Sequence, residues 1–299
     1  MLSILITIYN YNLFPLVEEL YKQCVACKVD FEILTQDDAS NSKLNIENEK
    51  INSLPNCSFV VLPDNVGYRE NKNILVSKSK FENLLILDGD CKIISEKFIQ
   101  NYLDNINNDV VYGGRIHPKV APSKRKLLRW KYGKFMEDKS LNQRLEFPYR
   151  SILFNNTLIT KSCFNKIKFD SSFKKYGHDD TLFSFELSKI KAKIKHIENP
   201  VQHDDIDDNE VFYAKTKNSL ENLHYLHSNA MINSEHSRMI VLLNRLKKYN
   251  LIKLTAGFYS LFEKIIESNL IGENPKLVIF NFFRLGYFCK IESENKSAI

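Results

Sequence analysis

The sequence predicts an α/β fold: a mostly parallel sheet flanked by helices, followed by a C-terminal helical extension. Three observations carry this. Over the first hundred residues, short apolar runs alternate with stretches of helical spacing; each apolar run stops in a polar cluster; and from Asp205 onward apolar residues recur every three to four positions. Strands alternating with helices build a parallel sheet with helices on its faces. All such strands end on one edge, where ligands of open α/β sheets bind.

The elements follow in order. LSILITI reads as a first strand ending in Tyr9-Asn10-Tyr11-Asn12, and Leu16, Leu20, Cys24 and Cys27 share one helical face. FEILT ends in Gln36-Asp37-Asp38, SFVVL in Pro63-Asp64-Asn65-Val66-Gly67, and NLLIL in Asp88-Gly89-Asp90, with a helix expected over residues 71–80. VVYGGRI predicts a strand and turn. Residues 118–150 mix basic residues with Trp130, Tyr132, Phe135 and Tyr149 and predict loop plus helix. ILFNNTLIT predicts a strand, Phe183, Leu187 and Ile190 a helical face, and KIKHIENPVQH a last strand ending at His203. Phe212, Thr216, Leu220, Leu223 and His227 form one stripe. Further amphipathic helices fill residues 238–290, broken near Gly272-Glu273-Asn274-Pro275, and the tail after Ile291 is expected to fray.

A chain of 299 residues suffices for one large domain or two modest ones, and 43% hydrophobic with 26% charged residues excludes a disordered chain. Cys24 and Cys27 have redox or zinc spacing, but no second pair completes a zinc site and both fall on a helical face. Buried free thiols, suited to a reducing cytoplasm, are expected. The opening MLSILITIYN shows neither a basic leader segment nor a cleavage site, and no apolar run reaches membrane-spanning length. Residues 116–150 hold ten Lys/Arg against three Asp/Glu, and residues 238–290 nine against three, so two basic segments sit on an otherwise acidic chain. Each points to an anionic ligand or surface, with solvated lysine-rich faces as the plainer account. No nucleic-acid-binding signature accompanies them.

The chemistry concentrates in LLILDGDCKI. Residues two apart on an extended chain share a side, so Asp88 and Asp90 can aim at one point, with Gly89 permitting close backbone approach. Converging carboxylates repel unless a cation or proton lies between them, and Mg2+ or Mn2+ suits oxygen ligands. An acidic turn is the simpler alternative. Neither a G-x-G-x-x-G nor a P-loop follows the first strand, so a phosphate-bearing ligand would need a metal to balance its charge. A second acidic cluster, Asp179 and Asp180 in YGHDDTLFSFEL, opens a helix. N-capping accounts for one acid, and a carboxylate there can act as general base on a hydroxyl. His203, after the last strand, is a candidate third metal ligand.

Taken in order, ITIYNYN, EILTQDDAS, PDNVGYRENKN, LILDGDC, YGHDDTLFSFEL and NPVQH resemble the family 2 glycosyltransferases of GT-A fold, over roughly residues 1–225. RWKYGKF and FNNTLIT resemble, more loosely, a bacterial polysaccharide-assembly subgroup. The resemblance implies Mn2+ or Mg2+ on Asp88 and Asp90, with His203 as third ligand, holding the diphosphate of a nucleotide sugar. It implies that Asp37 and Asp38 meet the base or ribose, that Asn65, Arg69 and Lys72 line the same pocket, and that Asp180 is the catalytic base beside Asp179. Two departures stand out: Lys72 occupies a position where arginine is usual, and Asp179 replaces a glutamate. Tyr9 is a candidate for stacking on the base, Trp130 or Tyr132 for packing on a sugar, and Asn156 for the acceptor site.

These readings give an inverting, metal-dependent hexosyl- or N-acetylhexosaminyl-transferase, moving a sugar from a UDP-linked donor to a glycan or lipid-linked glycan. They place it in the cytoplasm, with three roles open to its C-terminal helices: peripheral contact with the membrane, capping of the sheet, or pairing of two subunits. The expected organisation is a nucleotide-sugar half (1–115), an acceptor and catalytic half (116–205) and a helical region (206–299). The rivals are an inactive sugar-binding protein of the same fold and a D-x-D phosphatase. The phosphatase is disfavoured because three strands precede LDGD and Lys92 stands where that family has Thr or Val.

Overall fold

A computed structural model of the chain describes residues 1–172, 176–204 and 206–295. The chain divides into two units. Met1–His117, Asp138–Lys174 and Glu186–Asp205 form the first; Pro118–Glu137, Lys175–Phe185 and Ile206–Ile299 form the second.

The first unit is built on strands β1 (Leu2–Ile8), β2 (Phe31–Asp37), β3 (Cys57–Val61), β4 (Asn83–Asp88), β5 (Cys91–Ile93), β6 (Val110–Tyr112), β7 (Arg115–Ile116), β8 (Asn156–Thr160), β9 (Ile194–His196) and β10 (Val201–His203). Seven of them make a sheet in the order β3-β2-β1-β4-β8-β6-β9. Only β8 runs antiparallel to its neighbours. Leu2, Ile4 and Ile6 on one side of β1 and Ser3 and Leu5 on the other are all buried, as expected of a central parallel strand covered on both faces. Each of the apolar side chains contributes roughly 1.5–3 kcal/mol by leaving water. The helix Phe14–Ala26 starts with Pro15 in its first turn and turns Leu16, Val17, Leu20 and Cys24 inward. Register sets Ile8 opposite Asp37, Asp37 opposite Val61 and Thr7 opposite Asp88. The polar clusters after β1 to β4 therefore share one edge.

Three expectations within residues 149–203 are corrected. KIKHIENPVQH is two strands, not one: β9 pairs with β6 in the main sheet, while β10 pairs with β5 and β7 in a separate three-stranded sheet. Pro200 lies between them and has no N–H for a ladder, and Asn199 there donates to the Phe98 carbonyl (3.0 Å) and receives the Asn101 amide (2.9 Å). ILFNNTLIT forms a strand only from Asn156; residues 149–151 make a short 3-10 turn, and the Thr157 hydroxyl bonds the Leu153 carbonyl. Ile190 lies just past its helix, Asp179–Lys189, and is exposed, whereas Phe183 and Leu187 are buried.

In the second unit the helices Asn209–Ser228, Arg238–Lys248, Ile252–Ile271 and Leu277–Asn295 follow one another, the last two separated at Gly272-Glu273-Asn274-Pro275. Leu128, Tyr213, Tyr259, Ile266, Leu270, Phe280 and Phe283 form their core. A Cβ on Gly286 would lie 2.5 Å from the Tyr259 side chain, so glycine lets these two helices close together. Thr216, Leu220 and Leu223 of the expected stripe are buried. The last helix does not fray at Ile291 but runs to Asn295. Phe288, Cys289 and Glu292 are buried, and the Glu292 carboxylate receives His224 Nε2 (3.0 Å) and Lys247 Nζ (2.9 Å). All six cysteines are free thiols, and burial pushes Cys24 up to about 12. Among the described residues no helix is long and apolar enough to cross a membrane.

Candidate active site

The edge of the first unit gathers the strand-end acids. Asp88 closes β4, and the chain then turns at Gly89-Asp90 instead of continuing extended. The two carboxylates have different partners. Lys72, buried on the helix Tyr68–Lys78, puts its ammonium 2.9 Å from Asp88 Oδ1 and 3.2 Å from the Phe154 carbonyl. Asp90 Oδ2 lies 3.4 Å from His203 Nδ1. The second sheet causes that approach, because β10 pairs His203 with Cys91, and Asp204 N–H donates to the Asp90 carbonyl (3.0 Å). Gly89 is required by packing: a Cβ there would fall 2.1 Å from Ile8 Cγ2. The close approach anticipated at Gly89 is thus made by the protein's own β1.

Asp37 and Asp38 are both buried and both hold loops. Asp37 accepts from Ser40 N–H (2.8 Å), Ser40 Oγ (2.7 Å) and Asn45 Nδ2 (3.2 Å), tying the turn after β2. Asp38 accepts from Val66 N–H (2.8 Å) and Gly67 N–H (2.9 Å), while Asn65 Nδ2 donates to its carbonyl (2.9 Å). Two backbone donors at the approach to the helix Tyr68–Lys78 are thereby satisfied, and Gly67, at φ +81°, supplies a turn that side chains rarely adopt. Arg69 is buried with its guanidinium 4.9 Å from the Tyr68 ring centre, and burial lowers its pKa. That helix buries Arg69, Asn71 and Lys72 on one face, an expensive choice for a purely structural element. Tyr9, at the end of β1, is exposed.

Sequence reading missed a histidine. His117, after β7, is fully buried; its Nδ1 lies 2.6 Å from Asp138 Oδ1, and its N–H donates to Asp138 Oδ2 (3.1 Å). Its ring meets His203 edge to face at 5.4 Å between centres. The His117 ring, held by Asp138, thereby packs against one edge of His203. Twenty-one residues separate the partners, so no local pattern announces them. Asn156 is buried with its polar groups engaged: Tyr102 donates to its Oδ1 (2.7 Å), and its amide donates to the carbonyls of Gly114 (2.8 Å) and Asn199 (2.9 Å). Two carboxylates and an imidazole are a fitting donor set for Mn2+ or Mg2+, and Asp90 with His203 already forms a close pair. Among the described residues, however, no three His, Cys, Asp or Glu side chains are gathered into a ready metal cluster, and Asp88 leans on Lys72.

In the second unit Asp179 and Asp180 form the first turn of the helix Asp179–Lys189, where the helix dipole favours negative charge. The turn before it is left-handed at Gly177 (φ +89°) and His178 (φ +64°). Gly177 packs on Ser219, and its carbonyl receives the Asn222 amide. Leu182 N–H bonds the His178 carbonyl (2.9 Å), so His178 stands at the cap position and the two acids follow it. Burial, and next the Asp180 charge, push Asp179 up to about 8. Burial holds His178 down to about 4. Trp130 donates to the Pro118 carbonyl (2.9 Å), and Tyr132 packs on Phe212 and Phe280.

The chain thus combines a mostly parallel sheet with one reversed strand, acids along its strand-end edge and a helix that opens on two acids. The chain belongs to glycosyl transferase family 2, whose model matches residues 3–177, and is a glycosyltransferase of GT-A fold. No curated protein matches the sequence. Among solved structures it is similar in fold to TarS 1–349 from S. aureus, at 17% identity and TM-score 0.51, covering 100% of this chain and 92% of that one. The complex of TarS 1–349 with UDP gives 18%, 0.52 and the same coverage. The mannosyltransferase PcManGT from Pyrobaculum calidifontis, in complex with GDP-Man and Mn2+, gives 11% and 0.57, covering 98% of this chain and 85% of that one.

Proposed function

We propose that this glycosyltransferase moves a hexosyl or N-acetylhexosaminyl group from a UDP-linked donor to a hydroxyl of a glycan or lipid-linked glycan, in polysaccharide assembly on the cytoplasmic side of a membrane. The observation that carries the reading is the strand-end edge at which Asp90 meets His203 and Asp88 is held by Lys72, in a chain of this family. The donor assignment draws on similar folds solved with UDP, with UDP-GlcNAc and with GDP-Man and Mn2+.

In this reading residues 1–115 bind the donor, residues 116–205 carry the acceptor and catalytic groups, and residues 206–299 form a helical region. Asp90 and His203 would hold Mn2+ or Mg2+ together with Asp88. When bound, the ion supplies Lewis acidity to the departing diphosphate. Lys72 orients Asp88 and tempers its charge. Asp37 and Asp38 shape the loops that meet the base and ribose, with Asn65 and Arg69 on the same pocket and Tyr9 stacking on the base. Asp180 takes the proton of the acceptor hydroxyl. The hydroxyl oxygen then bonds to the anomeric carbon, and the bond to the diphosphate oxygen breaks with its electron pair, inverting the configuration. Asp179, protonated up to a pH of about 8, cannot share the work of the base at neutral pH and instead donates a hydrogen bond. Two neighbouring acids with different protonation states divide such roles.

Lys72 on Asp88 favours a second reading, in which the ammonium replaces part of the cation's role and transfer needs no metal. A thermal-shift panel of UDP, GDP, UDP-sugars and GDP-Man, each with Mn2+ or with EDTA, separates the two. Stabilisation by one nucleotide only with Mn2+ supports the metal-dependent reading. Equal stabilisation in EDTA favours the second reading, and none with any nucleotide overturns both.

A further inference from the structure

The helix Ile252–Ile271 has two apolar faces, and only one is used by the core. Ile252, Ala256, Tyr259, Ile266 and Leu270 are buried. On another side Leu251, just before the helix, is followed by Leu254, Phe258, Leu261 and Ile265, at alternating spacings of three and four residues. The last four side chains are 69%, 54%, 75% and 68% exposed. The Phe258 ring touches Phe282 of the helix Leu277–Asn295 (5.8 Å between centres), and Val278, one turn from Phe282, is exposed as well. The outer surface is therefore apolar across two helices, wider than the single seam that a coiled coil presents.

Charge decides what covers it. The exposed cations of residues 238–290 are Arg238, Arg245, Lys248, Lys253, Lys264 and Lys276, against one exposed acid, Glu273. That acid is engaged by Lys124 at 2.7 Å. Glu263, on the same helix, receives Lys217 (3.5 Å) and Lys290 (3.1 Å). Lys253 and Lys264 stand eleven residues apart, close to three full turns, so they run along one side of the apolar stripe. A second copy would bring a like-charged surface against this one. A bilayer with anionic headgroups offers the opposite charge at its surface and hydrocarbon just beneath it.

We propose that this face docks on an anionic lipid bilayer, the helix Ile252–Ile271 lying in the headgroup plane with Leu254, Phe258, Leu261 and Ile265 inserted and the lysines at the phosphates. The helix itself carries Lys253 and Lys264 against Glu263 and Glu267, so its apolar side supplies the binding area and the wider basic surface of residues 238–290 supplies the attraction to anionic lipid. Its test does not depend on activity.

The experiment is co-sedimentation of the full chain with phosphatidylcholine vesicles, with and without phosphatidylglycerol, at low and high salt, alongside analytical ultracentrifugation without lipid. The wild type is expected to sediment only with the phosphatidylglycerol vesicles and to be released by high salt. Leu261→Asp should reduce the bound fraction by about tenfold or more, and the Lys253→Glu/Lys264→Glu pair by less, at unchanged melting temperature. These side chains point outward, so neither variant removes a core contact. A wild type that ignores anionic vesicles at low salt overturns the proposal. So does binding that Leu261→Asp leaves intact, and so does a lipid-free dimer that Leu261→Asp converts to a monomer, which would assign the face to a second copy.

Discussion

Two groups of carboxylates in this protein face opposite problems. Along the sheet edge of the first unit each acid has donors or cations at hand: backbone amides for Asp37 and Asp38, Lys72 for Asp88, and His203 for Asp90. At the helix start of the second unit, burial and the Asp180 charge outweigh a backbone hydrogen bond and drive Asp179 toward its protonated form. Surroundings, not residue type, therefore separate the acids of the sheet edge from Asp179. The histidines extend the contrast. His203 is drawn toward an acid, while His196, buried against the Pro148 carbonyl (2.9 Å), is held down to about 4 by its burial.

The contrast would break most clearly at Asp180. Asp180→Asn should lower turnover by about 10²–10⁴-fold, the usual worth of a general base. The thermal shift produced by the nucleotide and Mn2+ should persist. A variant that turns over normally would remove Asp180 from the role of base.

The next effect is on stability against pH. Asp179 has its folded pKa raised to about 8 from a usual value near 4. Between those values the folded state holds a proton that the unfolded state has released, so stability falls as pH rises, by at most ~1.4 kcal/mol per pH unit. Asp179→Asn should flatten that slope and raise the melting temperature more at pH 8 than at pH 5. His196 has the opposite sign. It stays neutral in the fold down to about 4, so stability is lost as pH falls below the ordinary histidine value near 6.5. A melting profile of His196→Gln should show a shallower acid-side decline, with the part due to His178 remaining.

At the sheet edge, Lys72→Met leaves Asp88 and the Phe154 carbonyl without their ammonium. With Lys72 buried and Asp88 two-fifths exposed, the cost in denaturant unfolding should be about 1–2 kcal/mol, between that of surface and buried pairs. Gly89→Ala should cost a comparable ~1–3 kcal/mol through overpacking, and Ile8→Leu, which removes the clashing branch methyl, should recover part of it in a double-mutant cycle. The smallest effect is expected at Tyr9. Tyr9→Ala should leave the melting temperature within error, because the side chain is exposed, yet weaken nucleotide binding by about 1 kcal/mol or more if the ring stacks on the base.

The class of fold, the strand ends and the acids that terminate them were legible in the chain. Those signals are local: an apolar run of strand length, a polar stop and a helical repeat can each be read within a dozen residues. The sequence also located Asp179 and Asp180 at a helix start and the helix break at Gly272-Glu273-Asn274-Pro275. Only the tertiary structure decided what each acid meets. That Lys72 leans on Asp88, that His117 and Asp138 stand behind His203, and that Pro200 sends β10 into a second sheet beside Asp90 all depend on contacts across tens of residues. Such contacts leave no periodic trace in the chain, because they are set by strand order and register. The same holds for the helix Ile252–Ile271: its amphipathic repeat was legible, but which face the core would take, and which it would leave to solvent, was fixed by the helices that pack around it.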